Sequence, residues 1–227
     1  RTAVVLLLLY PGAVFLTFTY SEALALLFFV AAALAARRRR WWLAGALGAL
    51  AAATRPTGVV IIVLLMVEYL MTERPRRLVH VPVLFIPILG TAAYCAYLWF
   101  TVGDPIAFIH SEQPFGRGLG ILPVEFANGH WLTAPSFAIW VVAMAAALWS
   151  IRVVRPSYGA FATALLLAAP LTGAFGSTSR YLLLAWPVFV MLARYVNTER
   201  RVLVTASLFS IFLAFFLLLF VHGYWVA

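Results

Sequence analysis

The chain has no lysine and very little acid. Its sixteen basic residues are all arginine, only seven Asp and Glu face them, and charged residues make up 10% of 227 positions. Soluble domains carry about a quarter charged residues. This chain therefore lacks the polar side chains that would coat a core of its size, which excludes an ordinary soluble fold. The single cysteine, Cys95, excludes an internal disulfide framework and a cysteine-built metal site. Lying inside an apolar run, it reads as helix packing. There is no signal-peptide pattern at the start, no internal repeat and no low-complexity linker. What is abundant is apolar surface: 65% of the residues are hydrophobic and the mean hydropathy is +1.03. Lipid is the solvent that tolerates it.

A spanning helix needs about 20 apolar residues. The apolar runs are Thr2–Tyr20, Glu22–Ala36, Trp41–Thr54, Gly58–Met71, Val79–Val102, Pro135–Ile151, Tyr158–Phe175, Tyr181–Ala193 and Val202–Val221. The predicted fold is all-α: a polytopic transmembrane bundle of about nine spans, with residues 1–227 forming one transmembrane domain and residues 103–133 a long outer loop. The third, fourth and eighth runs are short and need burial in protein or extension by their flanks. Pro11, Pro87, Pro170 and Pro187 break runs in ways that neighbouring helices can absorb. Because the chain opens at Arg1 and runs straight into an apolar segment, it reads as the C-terminal part of a longer protein.

Net charge +9 raises nucleic-acid binding. The arginines instead sit in short runs on every second connection: Arg37–Arg40, Arg74–Arg77, Arg152 and Arg155, and Arg194–Arg201. With Arg1 this places thirteen on one side, which the positive-inside rule assigns to the cytoplasm. Nucleic acid is thus not an expected partner, whereas membrane lipids are. Trp41 and Trp42 read as an interfacial belt. Arg55, Arg117 and Arg180 fall on the other side, with Glu22, Asp104, Glu112 and Glu125. Charges near a membrane that topology does not require are candidate site residues.

Four segments on that outer side could carry chemistry. In Tyr20-Ser21-Glu22 the carboxylate either binds or deprotonates hydroxyls, or Ser21 and Glu22 simply start a helix. Arg55 sits in the turn Thr54-Arg55-Pro56-Thr57-Gly58 between two arms of about 14 residues, each about 21 Å long. That is short of a roughly 30 Å hydrocarbon core, so Arg55 lies below the outer surface. There it grips a phosphate or carboxylate, or it pairs structurally with Glu22 or Asp104. The loop 103–133 mixes Asp104, His110, Glu112, Gln113, Arg117, Glu125, Asn128 and His130, a donor set suited to sugars. Asp104 before Pro105 also fits ordinary turn chemistry. His110, His130 and Glu112 match no metal spacing, and Gly116–Gly120 does not open a helix after a strand as a nucleotide loop does. No metal or cofactor is expected. Lastly, Gly176-Ser177-Thr178-Ser179-Arg180-Tyr181 offers several donors to one anion such as phosphate, or is an ordinary polar turn.

Taken together, YPGAVFLTFTYSEALALLFF, the basic run with WWLAGALGALAAATRPTG, GDPIAF with a downstream Gly-Arg, and SRYLLLAWPVF resemble the PIG-V-type mannosyltransferases of the GT-C glycosyltransferase superfamily. They occur in family order over nearly the whole chain. Where the family carries a tryptophan-containing stretch before its Gly-Arg, this chain has Phe115 in Gln113-Pro114-Phe115-Gly116-Arg117. The resemblance implies an inverting enzyme that moves mannose from a polyprenyl-phosphate-linked donor to a lipid or glycan acceptor at the outer face of the membrane, and the all-arginine basicity and alanine richness read as a bacterial composition, hence a bacterial plasma membrane. It implies a catalytic aspartate in a first outer loop. No outer Asp precedes Asp104, in keeping with an upstream segment beyond Arg1. Substrate binding is then expected from Glu22, Arg55, Asp104, Arg117, Arg180 and Tyr181, with Arg55 and Arg180 on the phosphate and Glu22 and Asp104 on hydroxyls. The rival classes are a polytopic transporter or lipid-linked sugar flippase and a non-catalytic membrane subunit. A transporter often shows internal repeats and broken helices near the midplane, whereas no repeat is seen here and the charges crowd one face.

Overall fold

The computed structural model describes residues 1–73, 77–111, 113, 133–171 and 177–224, and all regular structure among them is helical. The elements are α1 (Thr2–Leu9), α2 (Val14–Thr17), α3 (Glu22–Arg37), α4 (Trp41–Thr54), α5 (Ile61–Thr72), α6 (Pro87–Val102), α7 (Ala107–His110), α8 (Thr133–Val153), α9 (Pro156–Leu171), α10 (Thr178–Leu184), α11 (Pro187–Tyr195) and α12 (Glu199–Val221). Short 3-10 turns occupy Pro11–Ala13, Pro56–Val60, Leu78–His80 and Pro82–Phe85. Each of the nine apolar runs contains helix. Pro11, Pro87 and Pro187 sit in the first turn of their elements, where a missing N–H is harmless. Only Pro170 lies inside a helix, near the end of α9.

Among the described residues three helical stretches are long and apolar enough to cross a membrane: Leu78–Val102, Ser136–Val153 and Glu199–Val221. A fourth arises if Pro11–Thr17 and Glu22–Arg37, bent by 97° at their junction, form one broken span. Trp41–Thr54, Pro56–Thr72 and Pro156–Leu171 are apolar but shorter. The structure therefore carries three or four stretches of span length where nine spans were expected. The three long stretches are the peripheral ones, and α12 buries no residue at all. The short helices form the middle: Ala51, Ala52, Leu64, Leu65, Phe161, Leu165 and Leu166 are fully buried. A helix surrounded by protein need not match the bilayer thickness, whereas one that faces lipid must.

The outward surface supports lipid contact. Phe100, Val142, Leu203 and Val221 are 85%, 70%, 67% and 69% exposed, and apolar exposure on this scale over several helices is not found on water-facing monomers. Inside, α3, α4 and α6 approach closely through small residues. A Cβ at Gly90 would lie 2.0 Å from the Ala49 carbonyl oxygen, so only glycine lets α6 rest on α4. The arginine run closes α3 with paired backbone bonds: Arg39 N–H donates to Ala36 O and Arg40 N–H to Ala35 O, both at 2.9 Å. Arg39 takes φ 57°, a position usually held by glycine. These two backbone bonds hold Arg39 there against roughly 1–2 kcal/mol of left-handed strain.

One feature of this end departs from expectation. Trp41 does not belong to an interfacial belt: it is 2% exposed, and its indole N–H donates to Glu73 Oε2 at 3.0 Å. Trp42, 62% exposed, keeps that position. The Trp41 bond, followed by His80 at 3.3 Å, holds the Glu73 carboxyl below its ordinary range. Cys95 is a free, half-buried thiol within α6.

Candidate functional site

The connection α2–α3 turns sharply, and Glu22 becomes the first residue of α3. Ser21 occupies the N-cap position, but its side chain makes no capping bond. Glu22 turns inward and is completely buried. There its Oε1 accepts from Arg55 Nη1 at 3.1 Å and from Arg180 Nε at 2.7 Å, and Arg180 Nη2 lies 2.5 Å from the same oxygen. Three segments far apart in sequence thus meet at the arginine-poor end of the bundle. Arg55 is placed by the extended residue between α4 and the Pro56–Val60 turn, and its Nε also donates to Thr57 Oγ1 at 2.8 Å. Of its two carboxylate partners named from sequence, it takes Glu22.

Aromatic rings frame both guanidiniums. Arg180 lies 5.2 Å from the Phe15 ring centre and 5.0 Å from that of Tyr20, and Arg55 lies 5.9 Å from that of Tyr181. Such faces hold a cation while keeping water away from it. Tyr181 is 7% exposed, so it lines this cluster from beneath. The segment before Arg180 is not a solvated turn: Ser177, Thr178 and Ser179 are all buried. Gly12 explains part of this closeness, because a Cβ there would stand 2.9 Å from the Ser179 carbonyl oxygen. The Pro11–Ala13 turn can therefore press against the start of α10. Glu22 Oε2 and the Thr178 hydroxyl are buried without a hydrogen-bond partner.

Beside the cluster runs an open apolar groove of about 440 Å³, lined by Val4, Leu8, Leu16, Ala23, Leu26 and Val30 among others. Leu16 and Ala23 adjoin Phe15 and Glu22 in sequence. Ala23, Leu26 and Val30 follow one face of α3 for about 10 Å. Its walls are outward-facing, with Val4 60% and Leu8 54% exposed.

The other named residues do not join this cluster. Asp104 follows the left-handed cap Gly103 and folds onto its own loop. Its Oδ1 accepts from Ile106 N–H at 3.0 Å, and its Oδ2 lies 2.6 Å from His110 Nδ1. The His110 contact, then the Ile106 N–H, holds this carboxyl below its usual range. Asp104 is thus neither a partner of Arg55 nor part of the buried site: local turn bonds take both its oxygens. Arg117, Glu112, Glu125, Asn128 and His130, and the stretch Gly116–Gly120, lie outside the described residues. Among the described residues no group of three His, Cys, Asp or Glu is placed to hold a metal ion.

At the arginine-rich end a second buried cluster had been passed over. Glu68, fully buried in α5, accepts from Arg155 Nε and Nη2, both at 2.7 Å, and from Ser157 Oγ at 2.6 Å. Arg155 was assigned to topology alone. The missed signal was a lone carboxylate inside an apolar run, which in a membrane chain always needs a partner. The two clusters also show that α3, α4, α5, α9 and α10 keep their ends in register. Glu22, Arg55 and Arg180 gather at one end, and Glu68, Arg155 and Ser157 at the other. The chain matches no protein-family model, no curated protein and no solved structure.

Proposed function

We propose that this chain is a membrane glycosyltransferase of the GT-C, PIG-V-like kind, transferring mannose from a polyprenyl-phosphate-linked donor to a lipid or glycan acceptor at the extracytoplasmic face. The observation that supports it best is the convergence of Arg55 and Arg180 on one point, beside an apolar groove that opens outward. A lipid phosphate has those two halves. In this reading the phosphate sits on the arginines and the first isoprenoid units lie along Ala23, Leu26 and Val30.

The reaction is a direct displacement. The acceptor hydroxyl gives its proton to a carboxylate base, the first-loop aspartate that the resemblance implies, its oxygen bonds to the anomeric carbon, and the bond from that carbon to the phosphate oxygen breaks. The electron pair leaves with the phosphate, where fixed cations stabilise it more than in the ground state. Glu22 and Tyr181 border the sugar-phosphate position. The expected test result is transfer of labelled mannose from a polyprenyl-phosphate donor by the full-length protein. Full activity with a soluble nucleotide sugar, in membranes stripped of lipid-linked donor, overturns the reading. Passage of the lipid-linked sugar across vesicles without transfer assigns the chain to the flippases.

The same reading places the nine helical runs across a bacterial plasma membrane, with the short central ones shielded by the long peripheral ones. Arg37–Arg40, Arg74–Arg77, Arg152–Arg155 and Arg194–Arg201 then face the cytoplasm. Single cysteines at positions 38 and 199, in a Cys95→Ala background, are expected to resist an impermeant thiol reagent in intact cells and to react once the membrane is opened. Labelling from outside sinks this topology.

A further inference from the structure

The two fully buried glutamates meet arginine in different ways. Glu68 is a closed clamp. One oxygen takes Arg155 Nη2, the other takes Arg155 Nε and Ser157 Oγ, and all three contacts lie within 2.7 Å. A carboxylate held for the fold alone is expected to look like this, with both oxygens filled. Glu22 does not. Arg55 Nη1 and both Arg180 nitrogens fall on Oε1, while Oε2, equally buried, has no partner. Two guanidiniums that close on a single oxygen atom, from segments on different helices, make the arrangement in which an arginine pair takes one phosphate oxygen.

We propose that Glu22 is a resident counter-anion, which occupies the Arg55–Arg180 anion position in the empty site and is displaced by the phosphate group of the incoming ligand. This rests on the phosphate reading of the cluster given above. The device solves a physical problem. Two arginines, 12% and 19% exposed, are costly in an apolar surrounding while no ligand is present, and Glu22 is the carboxylate among the described residues that meets both. An internal carboxylate on one oxygen compensates them without the full bidentate grip that would lock them. It also sets a threshold: an anion must outcompete a tethered carboxylate, which a phosphate with several acceptor oxygens can do and a halide cannot. The apparent affinity for the ligand is lowered by the fraction of molecules in which Glu22 has vacated the position.

The test is calorimetric titration of the full-length protein in lipid nanodiscs with decyl phosphate and, separately, with inorganic phosphate. Glu22→Gln keeps the shape and removes the charge. It is expected to bind decyl phosphate about tenfold or more tightly than wild type, the gain that follows if the vacated state is a tenth or less of the population. Glu22→Asp keeps the charge on a shorter arm and is expected to fall between. Glu68→Gln is expected to leave the affinity unchanged. An equal gain with inorganic phosphate shows that the site reads the phosphate alone. A gain confined to decyl phosphate shows that the adjacent groove contributes. Both patterns support the proposal. Measurable wild-type binding that the folded Gln and Asp variants leave unchanged or weaken overturns the counter-anion role alone. Absence of binding to every variant overturns the phosphate assignment with it. Failure of both Glu22 variants to fold makes Glu22 a clamp like Glu68 and also overturns the proposal.

Discussion

Arg180→Ala in the full-length protein is expected to lower mannose transfer about 100- to 1,000-fold, on the order of 3–4 kcal/mol of transition-state stabilisation, with expression and helical content unchanged. The guanidinium sits against the Phe15 and Tyr20 rings, which meet edge to face, and reaches Glu22 with two nitrogens. Charge builds on the phosphate as the sugar bond breaks, so this contact strengthens along the reaction. The fold is expected to tolerate the change because Arg55 still holds Glu22 Oε1 and the carboxylate is not orphaned. Arg180→Lys should restore only part of the rate, since an ammonium cannot reproduce the planar fork that reaches Glu22 with two nitrogens. Transfer assays alongside circular dichroism check the result. Turnover equal to wild type removes Arg180 from the phosphate, and loss of the fold makes its bond to Glu22 a structural one.

The largest effect on stability is expected at the opposite end. Glu68→Ala leaves Arg155 facing a buried void and strips Ser157 of its acceptor. Breaking a buried pair by removing one partner costs about 3–5 kcal/mol, and here it also unpins α5 from the α8–α9 turn. Gly159 makes that turn tight, with a Cβ there only 2.3 Å from Ile151 N, so the turn has little freedom to rearrange around the loss. The double change Glu68→Met with Arg155→Met is expected to recover much of the stability, because no charge is then left without a partner. Thermal unfolding in detergent measures both. A single variant within about 1 kcal/mol of wild type, the range of an exposed pair, would show that water reaches this cluster.

Much of the architecture was readable from pattern alone. Every apolar run contains helix, because Leu- and Ala-rich stretches satisfy their own backbone without water. The prolines marked breaks in the runs, three of which are helix starts, and the turn that presents Arg55 was visible as a hairpin too short to span. Glu22, Arg55, Arg180 and Tyr181 were each singled out because topology offered no reason for a charge, or for a polar turn, at that place. Composition likewise determined that the surface faces lipid, since no arrangement of so few polar residues covers a core in water.

Tertiary structure decided the rest, because partner choice is a property of packing and not of spacing. Glu22, Asp104 and the arginines were interchangeable on paper. Only the 97° bend before α3 and the close approach of Gly12 to Ser179 bring Glu22 to Arg55 and Arg180, while the left-handed Gly103 turns Asp104 onto its own loop and His110. Trp41 beside four arginines reads as interfacial, yet the Leu78–Phe85 turns fold over it and Glu73 takes its indole N–H. Span length needed the tertiary structure in the same way. The short runs called for burial in protein, and packing shows which helices have it: α4, α5 and α9 lie inside, where protein replaces the bilayer and the length rule does not apply. Glu68 stayed hidden because its partner is 87 residues away in sequence, and a charge neutralised at that range leaves no local pattern.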